Sequence, residues 1–180
     1  TWSAISMEQG IISNEIVCLD IDTDNHLWIG TNRGVSFFDG VSSTNYTNNG
    51  LKSNIVNSVA RDTDDNLWFA TDMGVSEYDG QNWKTYTTAD GLARNDVVSM
   101  AIDQAGNKWF ATYNTGVSKL DGNNAYTYNA SDGLASDRIS CIATDFEDNI
   151  WFGGDAGVSK FDGSTFTVFN TTNSGIAHDY

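Results

Sequence analysis

Four tryptophans constrain this chain more than any other feature. Trp28, Trp68, Trp109 and Trp151 recur 40, 41 and 42 residues apart, each inside the same local phrase. An aspartate stands six residues before each one (Asp22, Asp62, Asp103, Asp145). Gly-Val-Ser follows, beginning at Gly34, Gly74, Gly116 and Gly157, and then Asp-Gly at 39–40, 79–80, 121–122 and 162–163. A further glycine opens each new unit (Gly10, Gly50, Gly91, Gly133, Gly175). A unit of this length cannot bury its own apolar face and gains a core by stacking on its neighbours.

The second unit shows what each copy builds. Ile55–Ala60 is a β-rich run that ends at Asp62-Thr63-Asp64-Asp65-Asn66. Leu67–Thr71 is a second strand, Val75–Tyr78 a third, and Asp79-Gly80 a hairpin turn. Trp83–Thr87 alternates aromatic with polar residues, as an outer strand with one wet face does. No helical periodicity interrupts the pattern. The expected fold is all-β: a β-propeller of four-stranded antiparallel blades, with four complete repeats and partial repeats at both ends. It forms a single segment over 1–180, with blades at about 11–47, 51–88, 92–129 and 134–170. Small residues hold one face of each first strand (Cys18, Ser58, Ser99, Cys141, then Asp20, Ala60, Ala101, Ala143) and bulkier ones the other (Leu19, Val59, Met100, Ile142). That strand is read as the innermost, with the tryptophans filling the space between blades. Both cysteines are expected to be reduced and buried, not bonded to each other.

Charge narrows the partners. With 24 acidic and 9 basic residues the net charge is −15, which repels phosphate backbones and anionic lipid, so neither nucleic acid nor membrane insertion is expected. Thr1-Trp2-Ser3 reads as the interior of a repeat, so the natural polypeptide is expected to begin upstream. Thr1–Ser6 aligns with an outer strand, Trp2 falling on Trp83, and Ile176–Tyr180 with the start of an inner one. The chain is therefore expected either to be part of a larger propeller or to self-associate through its terminal blades.

The phrase Asp22-Thr23-Asp24-Asn25-His26-Leu27-Trp28-Ile29-Gly30-Thr31, followed by Gly34-Val35-Ser36-Phe37-Phe38-Asp39-Gly40, resembles the two-component regulator propeller repeat. So do the connectors Gly50-Leu51-Lys52-Ser53-Asn54 and Gly91-Leu92-Ala93-Arg94-Asn95. Departures are the lack of proline after Gly-Leu, one extra residue near Asn114-Thr115, and Gly154 where other units have threonine. The resemblance implies a periplasmic or extracellular sensory or binding propeller, of the kind found in the sensor halves of bacterial hybrid histidine kinases that respond to glycans.

No catalytic set emerges, so no enzyme activity and no cofactor are expected. Asp20-Ile21-Asp22-Thr23-Asp24 opens like a calcium loop, yet Asn25 and Thr31 stand where such a loop needs glycine and glutamate. Aspartate-rich hairpins produce the same letters, and no metal site is assigned. Function is expected on the loops. Those between second and third strands contribute Arg33, Asp72, Tyr113, Asn114 and Asp155; the inter-blade connectors contribute Glu15, Asn54, Arg94, Asp96, Asp137 and Arg138. An aromatic among amides, carboxylates and arginines suits an oligosaccharide or other polar small ligand. The runner-up reading is a structural or protein-interaction propeller, and the third a propeller lyase or hydrolase.

Overall fold

The computed structural model describes residues 4–122 and 124–179. It contains four antiparallel sheets of four strands, each in sequential order from one edge to the other. Blade 1 holds β1 (Ile16–Ile21), β2 (Leu27–Thr31), β3 (Gly34–Phe38) and β4 (Ser43–Tyr46). Blade 2 holds β5 (Val56–Arg61), β6 (Leu67–Thr71), β7 (Gly74–Tyr78) and β8 (Trp83–Tyr86). Blade 3 holds β9 (Val97–Ile102), β10 (Lys108–Thr112), β11 (Gly116–Asp121) and β12 (Asn124–Tyr128). Blade 4 holds β13 (Ile139–Thr144), β14 (Ile150–Gly154), β15 (Gly157–Phe161) and β16 (Phe166–Phe169). The chain divides between Thr85 and Tyr86 into two compact units.

The recurrent phrase is a set of backbone solutions. Asp22, Asp62, Asp103 and Asp145 each accept a hydrogen bond from the indole Nε1 of their own tryptophan, at 3.1, 2.9, 2.9 and 2.8 Å. The same carboxylates accept from the backbone N–H four residues on, at His26, Asn66, Asn107 and Asn149. The hairpin needs one left-handed residue, filled by Asn25, Asp65, Gly106 and Asp148 with φ of 63°, 67°, 83° and 64°. Asparagine and aspartate tolerate that region, which explains why only one copy carries glycine there. The serines of Gly-Val-Ser pin the connectors. Ser36, Ser76, Ser118 and Ser159 are fully buried and accept, at 2.8 Å each, from the N–H of Ile12, Lys52, Ala93 and Ala135.

Each first strand also carries a β-bulge at its start, between Ile16 and Cys18, Val56 and Ser58, and Ile139 and Cys141, with the equivalent shift in the β9–β10 pair. The inserted residue lets Val56 and Val59 turn to one side, which strict alternation would forbid. Both pack into the apolar cluster of the first unit with Trp28, Val35, Leu51, Leu67 and Phe69. In the second unit Ile139 and Ile142 join Trp109, Val117, Leu134, Phe152 and Phe161. Three of the repeat tryptophans stack on the last aromatic of their own blade: Trp28 on Tyr46, Trp109 on Tyr128 and Trp151 on Phe169, at 5.7 Å in each pair. Trp28 then meets Phe69 and Tyr78 of blade 2, and Trp109 meets Phe152 and Phe161 of blade 4.

Three sequence expectations change. Single 3-10 turns occupy Met7–Gln9, Thr88–Asp90 and Ala130–Asp132, each closed by a capping box: Ser6 with Gln9, Thr87 with Asp90, Asn129 with Asp132. Residues 4–6 are not a strand, and Ser6 instead caps the first of these turns; Thr1, Trp2 and Ser3 lie outside the described residues. Ile176–Asp179 is not a strand either, and Tyr180 is outside the described residues. The physical reason is register. Every inner strand starts six residues after its unit glycine, at Ile16, Val56, Val97 and Ile139. Residues 176–179 are thus connector, and the Asp179 carbonyl accepts from Gly157 N–H at 2.7 Å as the Asp137 carbonyl does from Gly116 N–H at 2.8 Å.

Both cysteines are free, as expected, but they differ in burial. Cys18 is half-buried, and burial pushes its thiol up to about 12. Cys141 is exposed, against expectation. Cover at this position comes from the following blade, as Val56 supplies it near Cys18.

Candidate functional site

The loop residues singled out above lie at the connector end of the blades, and the second unit gathers several of them. Tyr113 follows β10, Asp155 follows β14, and Arg138 leads into β13. The Arg138 guanidinium lies 5.2 Å over the Tyr113 ring. Its Nη1 stands 3.9 Å from Asp155 Oδ2. Asp155 Oδ1 also accepts a short hydrogen bond from the Ser136 hydroxyl, and Ser136 Oγ accepts from Arg138 N–H at 2.9 Å. All three principal side chains are exposed. An aromatic face, a planar cation and a carboxylate thus converge on a rigid strand-end scaffold, a combination able to stack on a ligand and exchange hydrogen bonds with it.

Other candidates serve the backbone. Asp137 Oδ1 accepts from Ala130 N–H at 2.6 Å, capping the connector turn. The Asp96 carbonyl accepts from Tyr113 N–H at 3.2 Å, and Asn114 takes the left-handed conformation with φ 61°. Arg94 is exposed in the connector before β9.

In the first unit, Arg33 is exposed and its N–H donates to Thr31 Oγ1 at 3.0 Å. Asn32 Nδ2 donates to Glu15, and Asn32 Oδ1 accepts from the Ser13 hydroxyl at 3.1 Å, the same arrangement as Ser136 with Asp155. Asn54 Oδ1 and Asp72 Oδ1 are buried acceptors without a partner. Sequence reasoning missed the connector serines Ser13 and Ser136, whose shared position three residues after the unit glycine was the available signal.

Sequence reasoning also missed a cleft of about 690 Å³ lined by Arg138, Cys141, Gly153, Val158, His178 and Asp179 among others. The signal for it is the Gly153-Gly154 pair, which stands where other units have Gly30-Thr31, Ala70-Thr71 and Ala111-Thr112. Among the described residues no group of three or more His, Cys, Asp or Glu side chains is placed to hold a metal ion. The repeated aspartates are instead occupied by indole and backbone N–H groups. No helix among the described residues is long and apolar enough to cross a membrane.

Sheets of four sequential antiparallel strands, stacked through inter-blade tryptophans, define the protein as a β-propeller. Residues 10–33, 50–73 and 133–156, one stretch in each of three units, match the model of the two component regulator propeller family. Among curated proteins none matches the sequence.

Solved structures share the fold. The extracellular domain assigned to a hybrid two component system from B. thetaiotaomicron superposes with a TM-score of 0.81 at 22% identity, over 94% of this chain and 26% of that one. That assigned to a one component system of the same organism gives 0.77 at 22%, over 92% and 27%. Virginiamycin B lyase from Staphylococcus aureus gives 0.65 at 14%, over 91% and 57%. This chain therefore spans about a quarter of the length of the first two. At these identities the likeness is one of fold.

Proposed function

We propose that this chain is a ligand-binding segment of an extracytoplasmic sensor propeller, without catalytic chemistry of its own. Its ligand is a polar, hydroxyl-rich molecule such as an oligosaccharide. The observation that carries the reading is the Arg138–Tyr113–Asp155 group on strand ends of the second unit. A sugar ring presents an apolar face to stack on Tyr113 and hydroxyls that accept from Arg138 and donate to Asp155. The repeat family and the extracellular domains that share the fold support the sensory setting. Titration calorimetry against neutral and acidic oligosaccharides tests the proposal. Saturable heat is expected, reduced at least tenfold by Tyr113→Ala and by Arg138→Ala; a panel without heat sinks it.

A protein-docking reading draws on one observation. Phe146, at the tip of the β13–β14 hairpin, is fully exposed at 105%. Such a ring in water suits a partner's pocket. A bound partner released by Phe146→Ser, with no oligosaccharide heat, would favour that role over sensing. The lyase shares the fold at only 14% identity, and catalysis ranks third.

A further inference from the structure

Three of the four units carry the same pair of residues at the connector end. A serine stands three residues after the unit glycine (Ser13, Ser53, Ser136), and an asparagine or aspartate directly after the second strand (Asn32, Asp72, Asp155). In blades 1 and 4 the pair is hydrogen-bonded: Ser13 Oγ donates to Asn32 Oδ1 at 3.1 Å and Ser136 Oγ to Asp155 Oδ1 at 2.5 Å. The same serines accept from the backbone N–H two residues on, at Glu15, Ile55 and Arg138. Such a pair spends its polar atoms on the loop itself.

Blade 3, neither the first nor the last, departs at both members at once. Arg94 stands in place of the serine and Tyr113 in place of the amide or acid. The loop from β10 to β11 is also one residue longer. Asn114 takes its left-handed turn with φ 61°, and Thr115 Oγ1 lies 2.7 Å from Thr112 Oγ1. The backbone keeps the common register: Tyr113 N–H donates to the Asp96 carbonyl at 3.2 Å, as Asp155 N–H does to that of Arg138 at 3.4 Å. New side chains are thus mounted on an unchanged frame.

The exchange sets cationic donors beside a ring. The Arg138 guanidinium lies 5.2 Å over Tyr113. Asp155 Oδ2, at 3.9 Å from Arg138 Nη1, is too far for a hydrogen bond, and Asp155 Oδ1 is engaged by Ser136. Arg94 issues from the position whose serine reaches the loop residue in blades 1 and 4, so the repeat register directs it to Tyr113. Planar guanidinium groups match carboxylate and sulfate oxygens two at a time. A protein of net charge −15 repels anions at long range, and holding one requires cations gathered at a point.

We infer that Arg94 determines specificity and that the Tyr113 site selects an anionic saccharide. The sugar ring stacks on Tyr113, and its carboxylate or sulfate group is held between Arg94 and Arg138. This rests on the oligosaccharide reading of the same site and adds the charge of the ligand.

Titration calorimetry of the 180-residue chain with matched pairs tests it. Uronic acid oligosaccharides are compared with their methyl esters, and sulfated oligosaccharides with their desulfated forms. Wild type should bind the charged member about tenfold more tightly, and the series that shows the preference identifies carboxylate or sulfate as the group held. Arg94→Gln should abolish that preference with unchanged circular dichroism, since the side chain is exposed. Arg94→Lys should keep part of it, because charge remains and the planar fork is lost. Equal or tighter binding of the neutral members overturns the inference and leaves the sensor reading standing. A preference that survives in Arg94→Gln overturns it too. Absence of heat from every pair overturns both.

Discussion

The repeated aspartate acts as an anchor whose carboxylate is consumed locally. Asp103 is buried and accepts from Asn107 N–H at 2.8 Å, Asn107 Nδ2 at 2.8 Å and Trp109 Nε1 at 2.9 Å. Asp103→Ala strands an indole N–H and a backbone N–H out of water. A loss of about 3 kcal/mol is expected, since hydrogen bonds to a charged group are worth about 1.5–3 kcal/mol and orphaned donors add to that. Urea denaturation followed by tryptophan fluorescence measures it.

Asp145 shows the same anchoring at the surface. The hydrogen bond from Trp151 holds its carboxyl down at about 2, below the ordinary 3.8, with Asn149 and Glu147 N–H adding to the effect. Because the folded group is the stronger acid, its stabilisation is complete above the ordinary value and is lost as pH falls from 3.8 through about 2. Asp39, Asp79 and Asp162, held down by backbone N–H groups of their hairpin turns, act in the same direction. Calorimetry should find Asp145→Asn less stable than wild type at neutral pH. The two melting temperatures should converge as pH approaches 2, the folded value of Asp145.

At the level of strands and connectors, the Gly-Val-Ser serine sets where each blade begins. Ser118 Oγ accepts from Ala93 N–H at 2.8 Å, joining β11 to the connector that leads into β9. Ser118→Ala removes the acceptor and leaves a backbone N–H unpaired against a buried strand, with an expected cost of about 1–3 kcal/mol. Hydrogen exchange is the sharper measurement: protection at Ala93 should fall while β10 amides stay protected. The strands themselves were legible because Leu67–Thr71 and Trp83–Tyr86 are short apolar and aromatic runs set between turn residues. The 3-10 turns were not. Three residues make no period, and their only mark is a cap-and-acid pair such as Thr87 with Asp90.

For the molecule as a whole, charge and repetition compete. A net charge of −15 on 180 residues works against compaction. Raising sodium chloride from about 0.01 to 0.5 M shortens the screening length from about 30 Å to a few ångströms. The melting temperature should therefore rise by several degrees over that range; a flat or falling response would show that self-repulsion does not limit stability. Against this repulsion stand the inter-blade clusters, where Trp28 and Trp109 each meet two rings of the following blade.

The sequence alone determined the blade, because strand period, hairpin chemistry and the tryptophan interval are local and repeat four times. It also pointed to the ends of strands where Tyr113, Arg138 and Asp155 lie, since those positions vary between copies. Only the tertiary structure decided which of these residues meet. Arg138 reaches Tyr113 across two blades, and no spacing within one repeat encodes that distance. It decided the faces of the inner strands as well: a one-residue bulge turns Val56 to the side of Val59, which alternation in the sequence cannot show. It likewise decided the fate of the two cysteines. They occupy identical places in the repeat, yet burial there comes from the blade that packs on top, not from the strand that carries them.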